Sequence, residues 1–268
     1  MTDGSSKPNP QINRFRRHWV LEGWGTSGQK AIQHSTVLVV GCGGLGAPVI
    51  QYLAAAGVGH LTLVDDDLVQ ESNLNRQILF GQDDLSKYKV AGARDAALRL
   101  YPNVQIDVLQ ERVATHNARQ LVSQHDLVFD CTDGLPNKFL LNDACVLEGT
   151  PLVHGAVSAW AGQLLCIEPG HSGCLRCVFP DVPPSDVMPT CQSVGVLGAS
   201  CGVVGTQMAL WGLKRLAPDL TWPAGRFWSL DLQADRKQEL QVKPNPACPV
   251  CGPQAHIDGK NDGDYQDG

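Results

Sequence analysis

Residues 36–46 read Thr-Val-Leu-Val-Val-Gly-Cys-Gly-Gly-Leu-Gly, and this stretch decides the fold. Thr36 to Val40 is a short apolar run rich in β-branched residues, the pattern of a buried strand. Gly41, Gly43 and Gly46 then follow the Gly-x-Gly-x-x-Gly spacing. Glycines so placed permit a tight strand-to-helix turn and let backbone amides approach phosphate at the positive end of the helix. The helix is predicted from about Ala47 to Ala56, with Gly57 ending it. His60 to Val64 reads as the second strand, and Asp65 stands at its end, 19 residues after Gly46. A carboxylate there can accept hydrogen bonds from ribose hydroxyls. A glycine turn without a ligand is the bland alternative, and the strand, helix and acid around the loop argue against it.

Working outward, strand and helix keep alternating. Val90, Ala93, Ala97 and Leu100 follow helical spacing up to Pro102. Val104, Ile106 and Val108 alternate as a strand does, and Leu127 to Phe129 forms another after a further helix. This order implies a parallel sheet with helices on both faces. The second half differs: Leu152 to Val157, Gly162 to Ile167 and Phe227 to Leu232 read as strands, with one apolar helix near Ala199 to Leu216. The expected fold is therefore α/β, a Rossmann-like mixed sheet, parallel first and partly antiparallel later. Residues 13–251 form one expected domain, with a nucleotide-binding half at 13–150 and a second half at 151–251. A helical segment is expected at Asn13 to Leu21. A leader at 1–12 and a polar, Gly- and Asp-rich tail at 252–268 are expected to be disordered.

Composition narrows the classes. The chain has 268 residues, 43% hydrophobic and 18% charged, ordinary for a folded domain with a sizeable core. A net charge of -6 speaks against broad nucleic-acid binding, which needs a basic face. No apolar run approaches a membrane span. The polar start, Met1 to Asn9, lacks the apolar centre of a signal peptide, so a cytoplasmic location is expected.

Past Asp65 comes Ser72-Asn-Leu-Asn-Arg-Gln77, which places Asn73, Arg76 and Gln77 just beyond the second strand. Lys89 opens the next helix, and Asp133 follows the strand Leu127 to Phe129. Carboxyl ends of parallel strands converge on one crevice, so Asp65, Arg76, Lys89 and Asp133 are expected to meet there. Two cations and a carboxylate suit a nucleoside triphosphate, the cations facing phosphate oxygens and the carboxylate holding Mg²⁺. Singly, each has a plainer reading: Arg76 or Lys89 as a solvated surface charge, Asp133 as a helix cap.

Ten cysteines is many for a reducing compartment, where metal or thiol chemistry is the better prior than disulfides. Cys174-x-x-Cys177 and Cys248-x-x-Cys251 have the spacing of two zinc knuckles, which together close a tetrahedron with no open position. Such a site supplies on the order of 10 kcal/mol of binding energy to folding. Redox use of one pair is the alternative. Most of the remaining cysteines read as small buried hydrophobes.

With these residues assembled, the chain resembles the ThiF/MoeB/HesA family, bacterial relatives of the ubiquitin-activating enzymes. The matching segments are Gly41–Gly46, Leu61–Asp67 (LTLVDDD), Ser72–Phe80 (SNLNRQILF), Phe129–Gly134 (FDCTDG) and the two cysteine pairs. The resemblance implies ATP-dependent adenylylation of the C-terminal Gly-Gly carboxylate of a ubiquitin-like sulfur carrier protein, with pyrophosphate leaving. The activated acyl group then becomes a thiocarboxylate, the sulfur source for thiamine thiazole or molybdopterin. Carried over by motif, the resemblance gives ribose contact to Asp65, phosphate contact to Asn73, Arg76 and Lys89, and Mg²⁺ to Asp133. It makes Gly41, Gly43, Gly44 and Gly46 the nucleotide loop. It also implies a homodimer in which Arg17 reaches the partner's ATP site, and it matches Cys191 to a cysteine that forms an acyl-disulfide with the carrier. A separate persulfide protein is expected to deliver sulfur.

Two positions depart from the family pattern: Gly134 stands where Asn is usual, and Lys138 where Arg is common. Both are expected to border the nucleotide site. The run Asp65–Asp67 and the ending Cys-Pro-Val-Cys-Gly lean toward the thiamine branch. Two other functions stay open from residues alone. An NAD- or FAD-dependent oxidoreductase shares the glycine loop and Asp65 but leaves Arg76, Lys89, Asp133 and the cysteine pairs unexplained. A non-catalytic zinc-stabilised binding module would keep the fold without the chemistry.

Overall fold

The structure, a computed structural model, describes residues 14–184 and 194–265. Its centre is an eight-stranded sheet in the order β3-β2-β1-β4-β5-β6-β7-β8. The first five strands are Thr36–Val40 (β1), His60–Val64 (β2), Gln105–Leu109 (β3), Leu127–Asp130 (β4) and Leu152–Ser158 (β5), all parallel. Ala161–Ile167 (β6), Arg226–Asp231 (β7) and Arg236–Gln241 (β8) continue the sheet antiparallel. The change of direction follows from the connections. Helical crossovers link the parallel strands, whereas Ala159 and Trp160 alone join β5 to β6, too short for anything but a hairpin.

The helices are Arg16–Trp19 (α1), Gly25–His34 (α2), Gly46–Ala56 (α3), Lys89–Leu100 (α4), Ala118–Ser123 (α5), Leu135–Glu148 (α6), Leu175–Val178 (α7) and Gly198–Leu216 (α8). Strand alternation divides the core between the sheet's two faces. Val37, Val39, Leu61, Leu63 and Phe129 face α3, α4 and α8. Leu38, Val40, Val64 and Val128 face α5, α6 and the cysteine-bearing segments. Each such side chain, fully buried, contributes about 1.5–3 kcal/mol. Both faces of β1 are covered, and its continuous apolar run reflects that burial.

The structure differs from the sequence reading in three places. First, among the described residues of the segment expected to be helical over 13–21, Arg14 is helical and the single turn α1 follows, closed by Val20. Second, β8 reads Arg-Lys-Gln-Glu-Leu-Gln and is exposed along its whole length, so no apolar alternation announced it. Its partner β7 and the tight turn before it impose the strand. Third, the tail expected to be disordered is packed as far as Tyr265. Ile257 and Tyr265 are buried against the α6 side of the core. Arg119 donates to the Asp258 carbonyl, Thr115 to the Asp262 carboxylate and Arg176 to the Asp264 carbonyl. Two well-placed apolar side chains and three polar ties offset the ordering entropy of a Gly- and Asp-rich segment. The leader at 1–12 lies outside the described residues.

Candidate nucleotide site and zinc clasp

The strand order reverses between β1 and β4, the switch point at which open α/β sheets bind ligands. A crevice opens there, lined by Gly41, Gly43, Gly44, Leu45, Asp65, Asp66, Asp67, Arg76, Gln77, Lys89, Thr132, Asp133 and Asn137, among others. Asp65, Arg76, Lys89 and Asp133, far apart in sequence, thus meet on one wall system as the sequence anticipated.

Two of the four glycines are required by the protein's own backbone packing. Gly41 has φ +94°, and a Cβ there would stand 2.6 Å from the Cys131 carbonyl oxygen. A Cβ on Gly46 would stand 2.0 Å from the Gly41 carbonyl oxygen, so the helix could not close onto the loop. Gly43 and Gly44 line the crevice itself. Asp65 holds the loop from the other side: its Oδ2 accepts from the Cys42 N–H at 2.8 Å and its Oδ1 from the Asp67 N–H at 2.9 Å. Burial raises the Asp65 pKa, against the Lys89 ammonium and these two amides.

Lys89 is only 7% exposed, which removes the solvated-charge reading. Its ammonium lies 2.6 Å from the Asp67 carboxylate. Arg76 is half-buried and spends part of its guanidinium on its own loop, donating to the Ser72 carbonyl at 2.8 Å and to the Asn75 Oδ1 at 3.0 Å. These bonds aim the fork before any ligand arrives. Asp133 is exposed at the crevice. It does not cap α6, whose N-cap is Gly134 without a side-chain bond.

Asn73 is the exception among the residues given to the phosphates. It is absent from the crevice lining, and its Oδ1 accepts from the Gln70 N–H at 3.1 Å, closing the turn that carries Arg76. Gly134 and Lys138 do not line the crevice either; Asn137, between them, does. Lys138 instead turns inward. Its ammonium donates to the Gly155 carbonyl at 2.6 Å and sits 3.4 Å from both oxygens of Asp130. The same carboxylate accepts from His154 Nδ1 at 2.7 Å and from the Thr132 amide and hydroxyl at 3.1 and 2.7 Å. Burial opposes the charge on Asp130, but Lys138, His154 and Thr132 overcome it and lower its pKa. Burial lowers the His154 pKa, so the imidazole stays neutral and donates through Nδ1. This network fixes residues 130–132, directly before Asp133. Arg17 is exposed on α1 and lines no part of the crevice of its own chain. Cys191 lies outside the described residues.

Gln77, Asp67, Glu111, Arg112 and Asn137 also line the crevice. Sequence reasoning assigned them no role. Asp67 and Gln77 adjoin recognised motifs, and Glu111 and Arg112 follow β3, so their position at strand ends was the available signal.

Seventy residues separate the cysteine pairs, yet their four Sγ atoms form one cluster. Cys174 Sγ lies 3.9, 3.7 and 3.8 Å from those of Cys177, Cys248 and Cys251, and Cys177 to Cys251 is 3.4 Å. Four thiolates at about 2.3 Å from Zn²⁺ stand about 3.8 Å apart in a tetrahedron, so the residues fit the metal. The Asn245 N–H donates to Cys177 Sγ at 3.3 Å, the kind of outer bond that orients a ligand. Beside the cluster, the fully buried Arg176 pairs with both oxygens of Asp143 on α6, at 2.9 and 2.8 Å. Its guanidinium lies over the rings of Phe139 and Tyr265. The clasp therefore joins the C-terminal segment to α6.

An α/β sheet covered on both faces, a phosphate-type loop at its switch point and a cluster of four cysteines that could hold a metal ion define a nucleotide-binding class. Residues 15–250 match the family model "ThiF family"; the chain belongs to that family. It is 40% identical over 255 residues to "SAMP-activating enzyme E1" of Haloferax volcanii, covering 95% of this chain and 94% of that protein. It is 39% identical to "Sulfur carrier protein adenylyltransferase" of Thermus thermophilus, covering 90% and 91%. Against the bovine "Adenylyltransferase and sulfurtransferase MOCS3" it is 42% identical over 90% of this chain, but spans only 53% of that protein. Among solved structures, Escherichia coli MccB shares the fold, with TM-score 0.80 at 20% identity over 91% of this chain and 76% of the other.

Proposed function

We propose that this chain adenylates the C-terminal Gly-Gly carboxylate of a ubiquitin-like sulfur carrier protein, using ATP and releasing pyrophosphate. The observation that carries the reading is the convergence of Arg76, Lys89 and Asp133 on a glycine loop at the switch point of the sheet. Membership of the family and the names of the full-length relatives point the same way.

The chemistry suits these side chains. The carrier's carboxylate oxygen attacks the α-phosphorus, the bond from phosphorus to the pyrophosphate oxygen breaks, and an acyl-adenylate forms. An anion approaching an anion is the barrier, and fixed cations in a partly desolvated cleft offset it. Arg76 and Lys89 supply that charge, and their loops hold them in place beforehand. Asp65 faces the ribose, and its tie to the glycine loop fixes sugar and phosphate subsites relative to one another. No protein nucleophile is needed for this step. Asp133 is the residue we assign to Mg²⁺, which would neutralise phosphate charge. The four cysteines would hold Zn²⁺ as a structural ion.

A homodimer belongs to the same reading. Arg17 is exposed and faces no crevice residue of its own chain, so any catalytic use of it requires a partner subunit. A persulfide-bearing protein would supply sulfur to the acyl-adenylate, and the product would serve thiamine or molybdopterin synthesis. Carrier-dependent exchange of labelled pyrophosphate into ATP tests the core of the reading. Absence of exchange with every thiamine-type and molybdopterin-type carrier, despite ATP binding, would sink it; the carrier that supports exchange assigns the branch.

A further inference from the structure

Beneath the crevice, β4 and β5 pair with Asp130 opposite His154, and both side chains are buried, at 0% and 2% exposure. A carboxylate taken wholly out of water keeps its charge and its place only through the bonds that replace hydration. Three residues bond Asp130 among the described residues, and they are not equivalent. The Lys138 ammonium stands 3.4 Å from both oxygens, while its short bond of 2.6 Å goes to the Gly155 carbonyl. Charge-assisted N–H···O bonds that fix geometry are about 2.7–2.9 Å long. Lys138 therefore balances the charge without setting its direction. His154 Nδ1 does set it, donating to Oδ2 at 2.7 Å. Oδ1 is left to accept from the Thr132 amide at 3.1 Å and from its hydroxyl at 2.7 Å.

Thr132 carries that orientation to the ligand wall. Cys131, Thr132 and Asp133 all line the crevice, whereas His154 does not. Their backbone also abuts the phosphate-type loop without slack. A Cβ on Gly41 would stand 2.6 Å from the Cys131 carbonyl oxygen and 3.2 Å from the Thr132 nitrogen. Close-packed interiors transmit such displacements instead of absorbing them. We propose that His154 is a positioning residue for the crevice: by holding Oδ2 of Asp130 it turns Oδ1 onto Thr132, and so fixes residues 131–133 against Gly41 in the arrangement that receives the nucleotide. His154 touches no substrate; it acts on the nucleotide site proposed above, on which this inference rests.

Three variants test this. His154→Leu keeps bulk and removes the donor. His154→Asn keeps an N–H donor in the place of Nδ1. The double variant His154→Leu, Lys138→Arg returns donors to Asp130 from α6 through the planar arginine fork. Mg-ATP affinity by calorimetry and carrier-dependent pyrophosphate exchange are measured well below each thermal midpoint. His154→Leu is expected to bind Mg-ATP about 10-fold more weakly and to lose about 10²-fold in kcat/KM, the scale of a misplacement of about 1 Å. His154→Asn should stay within about threefold of wild type, and the double variant should regain about tenfold of the lost kcat/KM. A packing role would lower the midpoints and leave the affinity of the folded protein unchanged. Should His154→Leu not fold, His154→Gln takes its place: its amide reaches the position of Nε2, leaves Oδ2 without a donor, and should show the same loss. The assignment is overturned if the variant lacking the donor matches wild type in both readouts, or if His154→Asn falls as far as that variant. If wild type binds Mg-ATP but activates no carrier, the adenylylation reading fails while Mg-ATP affinity still decides His154; if wild type binds no nucleotide, both fall.

Discussion

The parallel half of the molecule and its antiparallel half solve different problems. In the parallel half the sheet is buried on both faces, and the ends of β1, β2 and β4 bring single polar side chains from separate loops to one crevice. In the antiparallel half β7 is only partly covered and β8 is exposed throughout. The four clustered sulfurs and the buried Arg176–Asp143 pair tie this half to α6. The contrast teaches that scaffold and chemistry are separable: removing crevice residues should spare stability, and removing clasp residues should spare the crevice chemistry only while the fold survives. α6 is where the halves meet, since it follows Asp133 at one end and bears Asp143 against the clasp.

The strongest way to break this contrast is to remove the metal. Cys174→Ser, or chelation of the wild type, is expected to lower the thermal midpoint by more than about 10 °C, since structural zinc contributes on the order of 10 kcal/mol. Metal analysis should find about one Zn²⁺ per chain before treatment; an unchanged midpoint would show that the halves are not held in this way. Next in size, Asp143→Ala leaves the Arg176 charge buried and unpaired, which costs about 3–5 kcal/mol by urea denaturation. A loss under 1 kcal/mol would mean that Arg176 finds other partners.

Crevice substitutions should invert the pattern. Arg76→Ala and Asp133→Ala are each expected to reduce carrier-dependent pyrophosphate exchange about 10²-fold or more, with thermal midpoints within about 2 °C of wild type. Comparable losses of stability would erase the distinction between the halves. A pH series sharpens it further at the junction. His154 has a lowered pKa in the fold, so below about pH 6.5 the unfolded chain takes a proton that the folded chain refuses, and stability falls as pH falls. Asp130, also lowered, adds its own loss below about pH 4. The thermal midpoint should be flat from pH 8 to 7 and decline below 6.5, with the decline reduced in His154→Gln. The smallest effect is expected on the exposed edge: Leu240→Ser in β8 should change stability by less than about 0.5 kcal/mol.

Much of this contrast was legible in the linear chain, and the reasons are local. Thr36–Val40 and Gly41–Gly46 specify a strand, a turn and a helix through periodicity and backbone freedom, which are properties of neighbouring residues. Cys174, Cys177, Cys248 and Cys251 stood out because paired spacing reflects the bite of a knuckle, and the fold brings their four Sγ atoms together. Asp65, Arg76, Lys89 and Asp133 were legible once a parallel sheet was inferred, since strand ends in such a sheet converge. The tail to Tyr265 misled, because its polar composition hides two apolar anchors that matter only when α6 and Arg176 are in place.

The order of residues alone therefore settled the alternation of strands and helices, the glycine turn and the two cysteine pairs, because each depends on neighbours within a few positions. Tertiary structure alone decided that the Asn73 Oδ1 closes the turn carrying Arg76 and that Lys138 serves Asp130 from within the core. It also left Gln77 buried with its amide oxygen without a hydrogen-bond partner among the described residues. Those outcomes depend on which side chains from distant segments compete for the same buried space and the same hydrogen bonds, and no local pattern records that competition.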